Sequence, residues 1–250
     1  MRACVTLIRR ELGAYLFSLT GYIIIAASLF MTGLVFVILL DRLQVMPTPV
    51  PVTELFFNLQ FYWLIPLLAA PVLTMRLFAL ERFSGTYETL MTTPVTDFQV
   101  VASKFAAAVM FYMLVWVTLL GSLVVVRHYT GDPTLKDFGA LGSTMLGVFL
   151  TGSLFISLGC FASSLTRSQV AAAMMGLGFG TSVILLAYFA DKLPDPESWR
   201  AQLLATFALF DQMHDYAHGV IDTRSVVLLA SLTMFVLFLT LRVVESRRWK

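Results

Sequence analysis

Six apolar runs, at about residues 19–40, 57–79, 105–126, 139–163, 169–190 and 225–241, alternate with short polar segments along the chain. Each is close to the twenty or so residues that a helix needs to cross a bilayer, so the pattern predicts an all-α fold with six transmembrane helices. All of it reads as one transmembrane domain over residues 1–250. Ahead of the first run, Val5, Ile8, Leu12, Tyr15 and Leu16 fall at helical spacing with Arg9 and Arg10 opposite them, which predicts an amphipathic helix lying in the membrane interface. The run that follows is too long for a signal peptide and ends in Leu40-Asp41-Arg42 without a small-residue cleavage site, so it reads as a retained span.

The connections refine this picture. Pro47, Pro49 and Pro51 favour an extended loop after the first span, and Pro66 and Pro71 each invite a bend within the second. Gly131-Asp132-Pro133 marks a turn after the third span, and Arg167 marks one after the fourth. In the fifth span, Ala172, Gly176 and Gly180 form a small-residue row that admits close approach of another helix, from this chain or from a second copy. Between the fifth and sixth spans, residues 199–220 carry helical apolar spacing around Leu203, Leu204, Phe207, Phe210, Met213, Tyr216 and Ala217. They predict two short helices, 199–210 and 212–219, dipping into the outer interface.

The densest local signals lie between the second and third spans, from Glu81 to Lys104. Ser84 and Gly85 stop the preceding helix, Thr86 to Met91 allow two short turns with Glu88 early in them, and Pro94 ends those turns. Thr96 and Gln99 then have capping-box spacing, with Asp97 in the first turn, so a new helix begins there and enters the membrane after Lys104. A short crosswise helix, about 84–93, is thus held at both ends by spanning helices.

Composition fixes the class. The chain is 58% hydrophobic and 13% charged, with a mean hydropathy of +0.84, and a soluble domain carries about twice that charged fraction. A net charge of +2 with scattered basic residues excludes nucleic acid as a partner. Cys4 and Cys160 are too few and too far apart for a disulfide framework or a zinc site, and read as packing residues. With six spans both termini share one side, and that side holds Arg2, Arg9, Arg10, Arg76, Arg82, Lys104, Arg167, Arg242, Arg247, Arg248 and Lys250. The other holds Arg42, Arg127, Lys136, Lys192, Arg200 and Arg224, so the excess places the termini and the 81–104 stretch in the cytoplasm.

No ionisable residue lies near the middle of a span, as an ion-driven transporter would need. Arg76, Lys104 and Arg242 sit at cytoplasmic span ends, where long side chains reach the interface. Nor is there a Gly-x-x-x-x-Gly-Lys phosphate loop, so the chain is not expected to hydrolyse ATP or to be an enzyme, and no cofactor is expected. Energy must arrive from a separate component, and the crosswise cytoplasmic helix is the obvious port.

Glu81, Gly85-Thr86, Glu88, Leu90, Pro94 and Lys104 resemble the Glu-x-x-x-Gly-Thr-x-Glu-x-Leu-x-x-x-Pro run of ABC type 2 transporter permeases. The tail Gly-Val-Ile-Asp-Thr-Arg-Ser-Val-Val, then a span, then Arg-Val-Val-Glu-Ser-Arg-Arg-Trp, is similar to the gliding-motility (Gld) branch of that family. The resemblance implies a permease subunit of an ATP-binding cassette (ABC) exporter in the cytoplasmic membrane, present as two copies or paired with a paralogue, and bound to two cytosolic ATPase subunits. Residues 84–93 would be its coupling helix, with Glu81, Arg82, Gly85, Thr86, Glu88 and Pro94 forming the ATPase-coupling interface. The 191–224 segment leaves room for an auxiliary extracytoplasmic subunit.

Two other classes stay open at this point. His214 and His218 stand one helical turn apart with Asp211 a turn earlier, a spacing that can bind a metal, so a membrane-bound metal-dependent enzyme is one alternative. A non-transporting membrane anchor of a larger complex is the other, and the short loops offer it little docking surface.

Overall fold

The computed structural model describes residues 2–45, 60–85, 96–130, 138–191 and 207–246, and every regular element among them is helical. Helix α1 spans Arg2–Leu16 and α2 spans Leu19–Val45. A short 3-10 turn, Gln60–Trp63, leads into α3, Leu64–Thr74. Next come α4, Ala79–Ser84, and α5, Asp97–Thr130. The remainder is α6, Phe138–Leu165, α7, Gln169–Asp191, α8, Leu209–His218, and α9, Thr223–Ser246. Six described stretches are long and apolar enough to cross a membrane: Leu19–Ile38, Leu64–Ser84, Asp97–Thr118, Gly139–Leu165, Gln169–Phe189 and Thr223–Ser246.

Helix α6 is the hub, packed by α3, α5, α7, α8 and α9. Its glycines explain how so many neighbours fit. A Cβ at Gly152 would overlap the ring of Tyr112 on α5, one at Gly159 would overlap the Thr74 hydroxyl of α3, and one at Gly147 would lie 2.8 Å from the Tyr216 ring of α8. Each missing side chain is a seat for a different helix, which is how packing without a hydrophobic driving force is won inside a membrane. Hydroxyl side chains along α6 return their protons to carbonyls, mostly of its own backbone, as Thr151 Oγ1 does to Gly147 (2.8 Å) and Ser157 Oγ to Leu154 (2.7 Å).

The second span departs from the single helix expected at 57–79. It runs later, from Leu64 to Ser84, and is broken between Thr74 and Ala79. Pro71 lies within α3 and cannot donate to the helix ladder. Ser163 of α6 fills the break: its Oγ accepts from the N–H groups of Phe78 (3.1 Å) and Ala79 (3.2 Å) and donates to the Met75 carbonyl (3.3 Å). One hydroxyl thus serves three backbone groups that the break sets free.

The joint between α1 and α2 is equally tight. Ser18 Oγ accepts from Gly21 N–H (3.0 Å) and donates to the Tyr15 carbonyl (3.1 Å), and a Cβ at Gly21 would overlap that same carbonyl. The Tyr15 hydroxyl donates to the Leu73 carbonyl (3.0 Å), tying the joint to α3.

Before the last span the sequence predicts two short helices. Residues 199–206 lie outside the described residues, and from Leu209 to His218 there is one continuous helix, with no break at Asp211. It ends in a Schellman motif: Gly219 takes a left-handed φ of 93°, Gly219 N–H donates to Tyr216 (3.2 Å) and Val220 N–H to Asp215 (2.9 Å). Its buried face, Leu209, Met213, Tyr216 and Ala217, seats on α6.

Gly152→Ala should destabilise the detergent-solubilised protein by about 1–3 kcal/mol, the usual cost of overpacking a filled site. Gly178→Ala, with open space where its Cβ would stand, should be near neutral. Thermal unfolding of the two variants checks the contrast.

Candidate functional site

Around the start of the predicted coupling stretch, four charged side chains from three helices meet. Lys104 lies seven residues into α5, on the face that buries Val100, Val101, Ala107 and Ala108, and is only 2% exposed. Its ammonium bonds Glu81 Oε1 of α4 at 2.7 Å and Glu11 Oε1 of α1 at 3.2 Å, with the Phe78 ring centroid at 5.7 Å. Arg10 closes the group, 2.9 Å from Glu11 and 3.6 Å from Glu81. Two cations and two carboxylates cancel, which is the condition for keeping charge away from water. Burial alone would push the Glu11 carboxyl up, but Lys104 and Arg10 outweigh it and hold the carboxyl below its ordinary range.

Helix α4 is held on its other side by Arg82, whose guanidinium donates to the carbonyls of Ser164 and Thr166, where α6 ends and turns toward α7. That places a cation at a helix C-terminus, where the macrodipole favours it. Gly85 then caps α4 with a left-handed φ of 73° and stands exposed, with nothing near the place of its missing Cβ. At the far end of the stretch the capping box is complete: Gln99 N–H donates to Thr96 Oγ1 and Thr96 N–H to Gln99 Oε1, both at 3.3 Å. Thr86, Glu88 and Pro94 lie outside the described residues.

Of the predicted interface residues, then, Glu81 and Arg82 turn into the chain and Gly85 faces out. Lys104 corrects a second expectation: it does not reach for the interface but turns inward to its two carboxylates. Sequence reading gave Glu11 no role and set Arg10 only on the polar face of the first helix. The available signal was that Glu11 is the lone acid within Arg2–Leu16, on the same helix face as Ile8, Leu12 and Tyr15.

The small-residue row faces α3. A Cβ at Gly176 would sit 3.3 Å from Pro71, and one at Gly180 would sit 2.9 Å from Leu67, while Ala172 is buried. The His214 and His218 rings meet edge to face with centroids 4.5 Å apart. Among the described residues no three or more His, Cys, Asp or Glu side chains gather as a metal site would require. Cys160 is buried and Cys4 half-buried, both as free thiols.

A protein-family model described as ABC-2 family transporter protein matches residues 53–244. The chain belongs to this family. It is a multi-pass membrane permease of an ABC transporter, and membership of the family implies partnership with an ATP-binding subunit. No curated protein matches the sequence. The family match begins after α1 and α2, so the permease's Glu11 lies outside it, whereas Glu81 and Lys104 lie within.

Lys104→Met leaves Glu11 and Glu81, both largely withdrawn from solvent, with only the exposed Arg10 as a cation, and should cost about 1–3 kcal/mol of stability, read as a fall in unfolding temperature. Because the Glu11 carboxyl is held below its ordinary range, its contribution is present at neutral pH and is lost as pH falls through the lowered value. Glu11→Gln should therefore lower stability at pH 7 and flatten its loss on acidification, measured as unfolding temperature against pH.

Proposed function

We propose that this permease is the transmembrane subunit of an ABC exporter, and that a cytosolic ATPase seats on the segment between Gly85 and Thr96. The observation that carries this reading is the anchoring of α4. Glu81 grips α5 and α1, Arg82 grips the end of α6, and the segment leaves this fixed base at an exposed left-handed glycine. A force applied to such a segment reaches three helices at once instead of being absorbed in a loose loop.

In this reading Thr86, Glu88 and Pro94 meet the ATPase directly. Gly85 leaves room for close seating, and Glu81 and Arg82 serve the interface by holding α4. The excess of basic residues supports a cytoplasmic location for both termini and this segment, with α1, its Arg9 and Arg10 exposed, along the cytoplasmic face of the cell membrane. Helix α8 lies at the outer face. Two copies, or one copy and a paralogue, pair with two ATPase subunits, and the tail is similar to that of the gliding-motility branch.

Topology is tested with a single cysteine at Thr89 in a chain whose Cys4 and Cys160 are replaced by Ala and Ser. A membrane-impermeant maleimide should label it from the cytoplasmic side alone, and labelling from outside overturns the proposal. Glu88→Lys should abolish co-purification of a nucleotide-binding partner while leaving the amount of inserted protein unchanged. Unaltered partner binding and transport-coupled ATP hydrolysis in that variant would count against the interface.

A further inference from the structure

Between α2 and α3 lies an apolar groove of about 160 Å³. Its walls are Ile24, Ala27 and Met31 on one side and Ile65, Ala69 and Val72 on the other, with Ser28 the only polar residue in its lining. The two helices run antiparallel, and the small side chains of Ala27 and Ala69 leave the hollow at mid-groove. One turn beyond its Ile24–Val72 end stands Arg76, half-buried, with its Nη1 on the Thr20 hydroxyl at 2.5 Å. No acidic side chain pairs with Arg76 among the described residues. The adjacent span starts at Leu19, so this guanidinium sits at the depth of the lipid headgroups while the groove sits at the depth of the tails.

A cation withdrawn from water calls for a counter-charge, and an apolar hollow facing a bilayer is filled by hydrocarbon and not by water. One kind of molecule brings both in the required order. We propose that the groove holds part of one acyl chain of an anionic membrane phospholipid, whose phosphate pairs with Arg76 beside Thr20. The volume is close to the roughly 150 Å³ of an apolar cavity that takes up a benzene ring, so it accommodates a stretch of one chain and not a whole lipid. The site depends only on the chain being embedded in a membrane, not on the identity of the ATPase or the transported substrate.

The test is native mass spectrometry of the detergent-purified protein after incubation with phosphatidylglycerol or with phosphatidylcholine of the same acyl chains. Phosphatidylglycerol should be retained about fivefold better, the effect of one arginine at an anionic lipid surface. Arg76→Gln should bring its retention down to the phosphatidylcholine level, and Arg76→Lys should keep most of the difference. Ala27→Phe, a change at an exposed position that fills the hollow, should reduce retention of both lipids. Equal retention of the two lipids by the unaltered chain, or full retention in Arg76→Gln, overturns the proposal. So does disulfide crosslinking of Ala27→Cys between two chains without lipid retention, which would assign the groove to a second copy.

Discussion

A lysine ammonium out of reach of water can persist only beside negative charge, and Lys104 obtains that charge from two different helices. The constraint is mutual, because Glu11 and Glu81 are themselves mostly withdrawn from solvent and need the same cation. Helices α1, α4 and α5 are therefore joined by one group in which the buried Lys104 and the more exposed Arg10 share both carboxylates. Apolar contacts let helices slide past one another at modest cost, whereas this group fixes both register and orientation at the end of the molecule where the proposed coupling segment departs.

The rest of the bundle is arranged so that this fixed point connects to its middle. Arg82 carries the attachment to the Ser164 carbonyl near the end of α6, and Ser163, the residue just before it, stitches the break between α3 and α4. The break separates the short α4 lever from the proline-bearing α3, so the two halves of the second span need not move as one rod. Above it, the glycines of α6 bring α3, α5 and α8 into direct contact with one helix. Movement at α4 thus meets the hub of the bundle within a single turn of backbone.

Local signals were legible and long-range ones were not. The Thr96–Gln99 box and the Gly85 stop are written in spacings of a few residues and formed where the spacing indicated, and the apolar runs gave the six spans, though the second is shifted to Leu64–Ser84. The break after Thr74 depends on Ser163, nearly ninety residues away, so Pro66 and Pro71 pointed only to bends of unknown consequence. Lys104 looked like an ordinary interfacial lysine because its partners lie 93 and 23 residues off. Glu81 opens the family-like pattern and Arg82 falls at an unspecified position within it, so nothing in the pattern says that their side chains turn inward. Leu209–His218 ran on through Asp211 because the helix is set by its buried face against α6, which a single exposed acid does not interrupt.

The corner between α1 and α2 has no slack. Gly21 rests directly on the Tyr15 carbonyl, and Ser18 bonds both sides of the bend, so the two helices turn together like the arms of a bell crank. A tug on α1 near Glu11 would accordingly swing α2, and with it one wall of the cleft facing α3, without any signal passing through the centre of the bundle.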